Sequence, residues 1–356
     1  MKYRIGIGIS IVLLALFVFT ADPRRMLEAL SGANYWFTIP AVGMYLISVY
    51  FRSLRWTVML RHLKPVRTVR LFPVVTIGYM ANNLLPMRLG ELVRSYYVGE
   101  REGINKAAAL VTVLVERVFD ALTLLFFVAV VALFVPVTGL VESFSERFGV
   151  PEAVIVLGFS LPFVTAFGAL VLVALYPERA RAIALFVARP LPERLRLVAD
   201  SLTGMLLQGL EPLRDPRKLV VLFVLSIPIW LTEAAVFWIM GFPFGIYDAH
   251  AGPGEMAATM VLVTSITNIG SSVPAAPGGL GLFEIIARET LVLSPLSTVE
   301  RPAAAGFAVV VHAVILLPMI VLGQVFLWTA HVSLRLLSRE GQRQDDLPVE
   351  REGQGR

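Results

Sequence analysis

Apolar runs long enough to cross a bilayer recur along this chain, and they restrict it to folds whose main solvent is lipid. Taking roughly 17–25 apolar residues as one crossing, strong helices are expected at about 5–20, 35–51, 106–135, 153–175, 218–240 and 303–330. Composition agrees, since 57% of residues are hydrophobic and only 16% charged, with a mean hydropathy of +0.75. A soluble domain does not have that balance. The fold class is therefore all-α integral membrane protein. The first run follows a basic start, as in a signal peptide, but the bulky Phe19 before Thr20 and Ala21 spoils a small-x-small cleavage site. It reads as an uncleaved first helix.

Two more apolar stretches, 71–98 and 256–293, carry Pro, Gly, Asn and charges near their middles. Loop charges say how they run. Lys2 and Arg4 precede the first helix, and Arg52, Arg55, Arg61, Lys64, Arg67 and Arg70 follow the second without an acid, so both segments are expected on the cytoplasmic side. Arg94, Arg101 and Lys106 lie just beyond the first odd stretch, and a single crossing there would put them outside. The stretch should enter and return. With that choice 136–152 and 241–255 fall outside and the arginine-rich 176–217 falls inside, where it suits an amphipathic surface segment or a solvated connection. By the same rule 256–293 enters from the outer face and returns there. The expectation is about six full crossings plus two oppositely oriented re-entrant hairpins, in a membrane domain spanning 1–334 of the plasma membrane. Both termini are cytoplasmic in this scheme, and 335–356 forms a disordered polar tail.

The hairpin sequences look related. ANNLLPMRLGELVRSYY (81–97) and NIGSSVPAAPGGLGLFEIIARE (268–289) each run from Asn or Ser through proline to glycine, then to a glutamate and an arginine. Opposed repeats with interrupted helices are built around a midplane substrate site in many transporters. Irregular backbone at that depth must be buried in protein or line a polar cavity. A helix restarting there offers free N–H groups to an anion, and Gly279 and Gly281 would allow close approach. A glycine-rich run taken alone fits a plain hairpin tip equally well.

Ionisable residues add to the signal, because they are rare inside membranes and usually face a bundle interior. Glu116, Arg117 and Asp120 sit mid-way along 106–135, where a structural ion pair is the competing reading. Arg88, Glu91, Arg94, Glu284 and Arg288 flank the breaks, Glu233 is isolated in a span, and His312 sits in the last run. Glu233 and His312 are candidates for coupling or for structure. Cysteine is absent, which excludes disulfides and thiolate chemistry, and four scattered histidines give no metal spacing. No GxxxxGK[ST] loop occurs, and no cofactor is expected. The net charge of +5 is assigned to membrane anchoring rather than nucleic acid.

Together NNLLPMRLGELVRSY, TVLVERVFDALTLL and SSVPAAPGGLGLFE resemble the flippase-like membrane domain of lysylphosphatidylglycerol synthases and its stand-alone relatives. The similarity runs in order over most of 5–330. It implies multi-pass proteins with re-entrant helices that move phospholipid head groups between leaflets, and by motif it points to Arg88, Glu91, Arg94, Glu116, Arg117, Asp120, Gly279, Gly281 and Glu284. Bifunctional relatives carry a synthase domain; this chain stops about 25 residues after its last span, so aminoacyl transfer from tRNA is not expected. Phospholipids are the implied partners, with a homo-oligomer or a separate lipid-modifying enzyme as further ones. The rival functions are secondary transport of a soluble anion and, more distantly, a membrane-embedded enzyme.

Overall fold

The computed structural model describes residues 14–329 except 21, 86–88, 135–136, 191, 273–276 and 295. Most of the first apolar run, the polar tail and Arg88 lie outside the described residues. Every regular element within them is helical. Residues 14–20 form α1. It is followed by α2 (Pro23–Gly32), α3 (Thr38–Leu60), α4 (Thr68–Leu84), α5 (Gly90–Glu102), α6 (Lys106–Ala132) and α7 (Val137–Phe148). Then come α8 (Glu152–Leu175), α9 (Pro177–Ala188), α10 (Glu193–Gly209), α11 (Pro216–Gly241), α12 (Pro253–Gly270), α13 (Leu282–Val292) and α14 (Arg301–Thr329).

Local sequence sets the ends. Asn105 caps α6 by accepting from the Ala108 N–H, and Asp215 caps α11, where Pro216 takes the first helical position and needs no N–H partner. Gly103, at φ 65°, closes α5 in the left-handed region that glycine enters without a steric penalty. Among the described residues four segments are long and apolar enough to cross a membrane: Tyr35–Leu60, Glu152–Leu175, Pro216–Phe244 and Arg301–Thr329. α6 matches them in length, with 27 residues, but carries Glu116, Arg117 and Asp120 in its middle.

One expectation is overturned. The second helix does not stop at 51 but continues to Leu60, so Arg52 and Arg55 are not loop anchors; both are buried inside α3. The loop after α3 keeps Arg61, Lys64 and Arg67, with Arg70 in the first turn of α4, and these still mark a basic side.

Both interrupted stretches are helical hairpins, with α4 packed on α5 and α12 packed on α13. Their surroundings correspond. Each hairpin follows a long helix and precedes another, in the order α3, α4, α5, α6 and again α11, α12, α13, α14. The lengths are 23, 17, 13 and 27 residues in the first series and 26, 18, 11 and 29 in the second. Contacts repeat as well, α3 on α4 matching α11 on α12, and α5 on α6 matching α13 on α14. Across the halves α4 packs on α14 while α12 packs on α6, and α3 packs on α11. That reciprocity is what an internal two-fold relation produces.

Helices in lipid gain little from burying apolar surface against each other, so close backbone approach matters more. At Gly323 of α14 a Cβ would lie 2.6 Å from Met80 Cβ of α4, which shows how tightly those two helices mesh. The intervening α7–α10 are more peripheral, with α8 and α10 packed on α6. Of α8 only Ala174 is buried, and α9 is tied to α10 by a two-point pair in which Arg181 donates to both carboxylate oxygens of Asp200 at 2.8 Å. That pairing holds the Asp200 carboxyl below its ordinary range.

Candidate functional site

Two polar centres lie in the interior, one at each hairpin. The larger begins with α3, whose buried residues Ala41, Tyr45, Ser48, Val49, Arg52, Arg55, Trp56 and Met59 follow helical spacing. The two arginines therefore face inward with the aromatics. Arg52 donates to Glu233 of α11 at 2.7 Å and lies 3.5 Å from Asp120 of α6. Arg55 is fully buried and reaches Asp120 at 2.8 Å, with Glu116 at 4.0 Å. From α5, Arg94 grips Glu116 with both terminal nitrogens, at 2.6 and 3.2 Å, and its guanidinium lies 3.7 Å from the centre of the Trp56 ring. Arg117 reaches Asp120 at 3.3 Å and the Tyr79 hydroxyl at 3.4 Å. Trp230 donates its indole N–H to Asp120 and lies beneath Arg52.

Four arginines thus meet three carboxylates, and all but Arg117 are buried. Two-point guanidinium pairing and ring stacking are properties a lysine would not supply. Yet the arginines are not used up. The Nε–H groups of Arg52, Arg55, Arg94 and Arg117 find no acceptor among the described residues. Beside Arg94 and Arg117 a small recess opens between the first hairpin and α6, bordered also by Tyr79, Asn82, Gly90 and Glu91. Arg117 keeps 29% of its side chain exposed there. The cavity wall is shaped by the break itself. Asn82 accepts from the Gly90 N–H at 2.8 Å, and a Cβ on Gly90 would fall 2.0 Å from the Gly78 carbonyl oxygen. Only glycine lets α5 restart that close to α4.

The second centre is smaller. Glu284, near the start of α13, accepts from the Gly281 N–H at 2.7 Å and contacts His312 Nδ1 of α14 at 2.7 Å. His312 Nε2 bonds the Gly278 carbonyl at 2.9 Å, and Phe283 stacks on the imidazole with ring centres 4.0 Å apart. Gly278, Gly279 and Gly281 all have positive φ, at 62°, 74° and 87°. The two hairpin tips meet here, because a Cβ on Gly278 would stand 3.4 Å from the Asn83 carbonyl oxygen.

The expected site residues therefore separate into groups. Glu91, Arg94, Glu116, Arg117, Asp120 and Glu233 come together at the first centre, while Gly279, Gly281, Glu284 and His312 gather at the second. Arg288 joins neither. It pairs with Glu289 at 2.8 Å, donates to the Phe17 carbonyl at 3.0 Å and lies over the Phe17 ring, fastening α13 to α1. Arg88 lies outside the described residues. Arg52, Arg55, Trp56 and Trp230 were not expected at the site. The inward period of α3 carried a signal for the first three; for Trp230 only its place one turn before Glu233 did.

Residues 4–323 match the family described as lysylphosphatidylglycerol synthase TM region. The chain belongs to that family. Within this family region lie both polar centres and both hairpins. Similar proteins include the glycosyltransferase AglD of Haloferax volcanii, 24% identical over 326 residues that cover 87% of this chain and 51% of that one. A UPF0104 membrane protein of Methanothermobacter thermautotrophicus is 24% identical over 296 residues, covering 80% of this chain and 81% of that one. Another, of Methanocaldococcus jannaschii, is 31% identical over 118 residues, 32% of this chain and 35% of that one. The chain spans about half the length of AglD. The lysylphosphatidylglycerol synthase TM match and these membrane relatives make it a multi-pass membrane protein.

Proposed function

We propose that this protein carries phospholipids, or another lipid with a phosphate-bearing head group, between the leaflets of the cell membrane. A charged group costs about 2.5–3.5 kcal/mol or more at the centre of a bilayer, whereas acyl chains can stay in lipid throughout. A carrier has only to house the head group. The observation that carries this reading is the recess between the first hairpin and α6, bordered by Arg94 and Arg117. A phosphate there would meet the charge of these two guanidinium groups. Glu91, on the same cavity, either orients Arg117 when no lipid is present or receives a cationic part of the head group. In this scheme the two hairpins enter from opposite faces, and the half containing α3–α6 rocks against the half containing α11–α14.

The same donors would hold a soluble anion, and one relative is named a glycosyltransferase, so the test needs three arms. In proteoliposomes with fluorescent lipids of several head groups, outer-leaflet accessibility should rise with the wild type and fall at least about tenfold in rate, ~1.4 kcal/mol of barrier, with Arg117→Ala. Accumulation of a soluble anion without lipid movement would replace the lipid reading with a transporter. Sugar transfer to a lipid acceptor without translocation would replace it with an enzyme.

A further inference from the structure

We propose that Glu284 and His312 form the proton-binding site of this protein, and that the proton held between them locks the two hairpin tips together. This rests on the translocation reading for its purpose, but its structural basis is independent of the cargo.

Hydrogen-bond bookkeeping carries it. The Gly278 carbonyl can only accept, so His312 Nε2 must bear hydrogen. That leaves Nδ1 against Glu284 Oε1 at 2.7 Å, a contact that requires a proton between the two atoms. The imidazolium donates to a carboxylate, or a protonated carboxyl donates to a neutral imidazole. Either way the closed arrangement holds one dissociable proton. When the N–H or O–H bond breaks and the proton passes to water, a nitrogen lone pair faces a carboxylate oxygen in a buried site, and the contact must open.

What opens with it is defined by the same bonds. Glu284 ties the Gly281 N–H, and His312 ties the Gly278 carbonyl, so the pair clamps both ends of the turn 278–281. Its three left-handed glycines can change conformation at little steric cost. Gly278 is also the point of contact with Asn83 in the other tip. Glu233 differs, because its partner Arg52 always carries hydrogen and their contact holds without a proton taken from water.

Charges on the elements packed against α13 and α14 are occupied elsewhere. Arg288 pairs with Glu289, and Glu289 also with Arg301 of α14. Arg52 and Arg55 of α3 serve Glu233 and Asp120, and Arg70 of α4 pairs with Glu102. Glu255 of α12 takes the Ala251 N–H, while Arg24, Arg25 and Glu28 of α2 pair with one another, Asp22 and Glu300. Lys218 of α11 pairs with Glu211, and Arg217 stands beside it at the start of that helix. Arg88 is outside the described residues.

The chain contains no cysteine, so Leu85→Cys and Leu280→Cys, both partly exposed in the tips, place two spin labels uniquely. Pulsed electron resonance on the full chain in lipid nanodiscs should show one short distance at low pH and a longer population as pH rises. In Glu284→Gln the amide donates to Nδ1 with no dissociable proton, so the short distance should persist at every pH. A wild-type distance that ignores pH, or an equal shift in the glutamine variant, overturns the proposal; the wild-type series decides even if the variant fails to fold. A separate vesicle assay under an imposed proton gradient should show lipid translocation that Glu284→Gln makes insensitive to the gradient. Lipid movement with unchanged gradient dependence in the variant refutes the proton site alone. Absence of lipid movement with an intact pH-dependent distance refutes the cargo alone.

Discussion

At the scale of single residues the first centre contains arginines of two kinds. Arg55 is wholly enclosed, while Arg117 borders the cavity. Removing one partner from an enclosed set strands a charge, at a cost of about 3–5 kcal/mol. Glu116→Ala, which deprives Arg94 of its two-point partner, should therefore lower the thermal unfolding midpoint of the purified protein sharply. Arg117→Ala should reduce transport by far more than it shifts that midpoint. If both variants instead lose stability alike, the whole cluster is structural. The cluster was half legible in the sequence. Glu116, Arg117, Asp120 and Glu233 stand out as charges in apolar helices, whereas Arg52 and Arg55 follow an apolar run and look like cytoplasmic anchors. A helix that continues past its oily segment betrays itself only through its period, in the inward series from Tyr45 to Met59.

At the scale of elements the hairpins depend on backbone contacts more than on apolar burial. Gly90→Ala would place a methyl group 2.0 Å from the Gly78 oxygen and 2.6 Å from Asn82 Oδ1, so α5 must move away from α4. Overpacking of this kind costs about 1–3 kcal/mol. The expected result is a less stable protein whose residual folded fraction has lost translocation. A stable, active alanine variant would show that the cavity wall is not set by this contact. Breaks and glutamates announced both hairpins in the sequence, because proline and glycine interrupt an otherwise helical pattern. The fate of the arginines did not show. Arg94 turns to Glu116 of the following long helix, whereas Arg288 pairs with its own neighbour Glu289 and reaches back to the Phe17 carbonyl of α1, a partner distant in the chain. In both halves a short helix is nevertheless pinned to the long one after it, by Arg94 and Glu116 in one and by Glu284 and His312 in the other.

At the scale of the whole molecule the order of long helix, hairpin and long helix, given twice, was readable from apolar runs and loop charges. Its reciprocal contacts were not, since they join helices more than a hundred residues apart. The loop-charge scheme also makes a testable statement about orientation. Accessible tags placed in 136–152 and in 241–255 should both report from the outer side of intact cells, and 176–217 from the inner side. Finding either of the first two inside would rule out two opposed hairpins. The peripheral position of α8 has a separate consequence. Its 24 residues make a rod of about 36 Å, longer than the ~30 Å hydrocarbon thickness of an average bilayer. Only Ala174 in it is buried, and Phe167 packs edge-on against Phe119 of α6. A tilt imposed by a thinner or thicker bilayer would therefore reach Phe119 first, the residue before Asp120, and through it the arginine cluster.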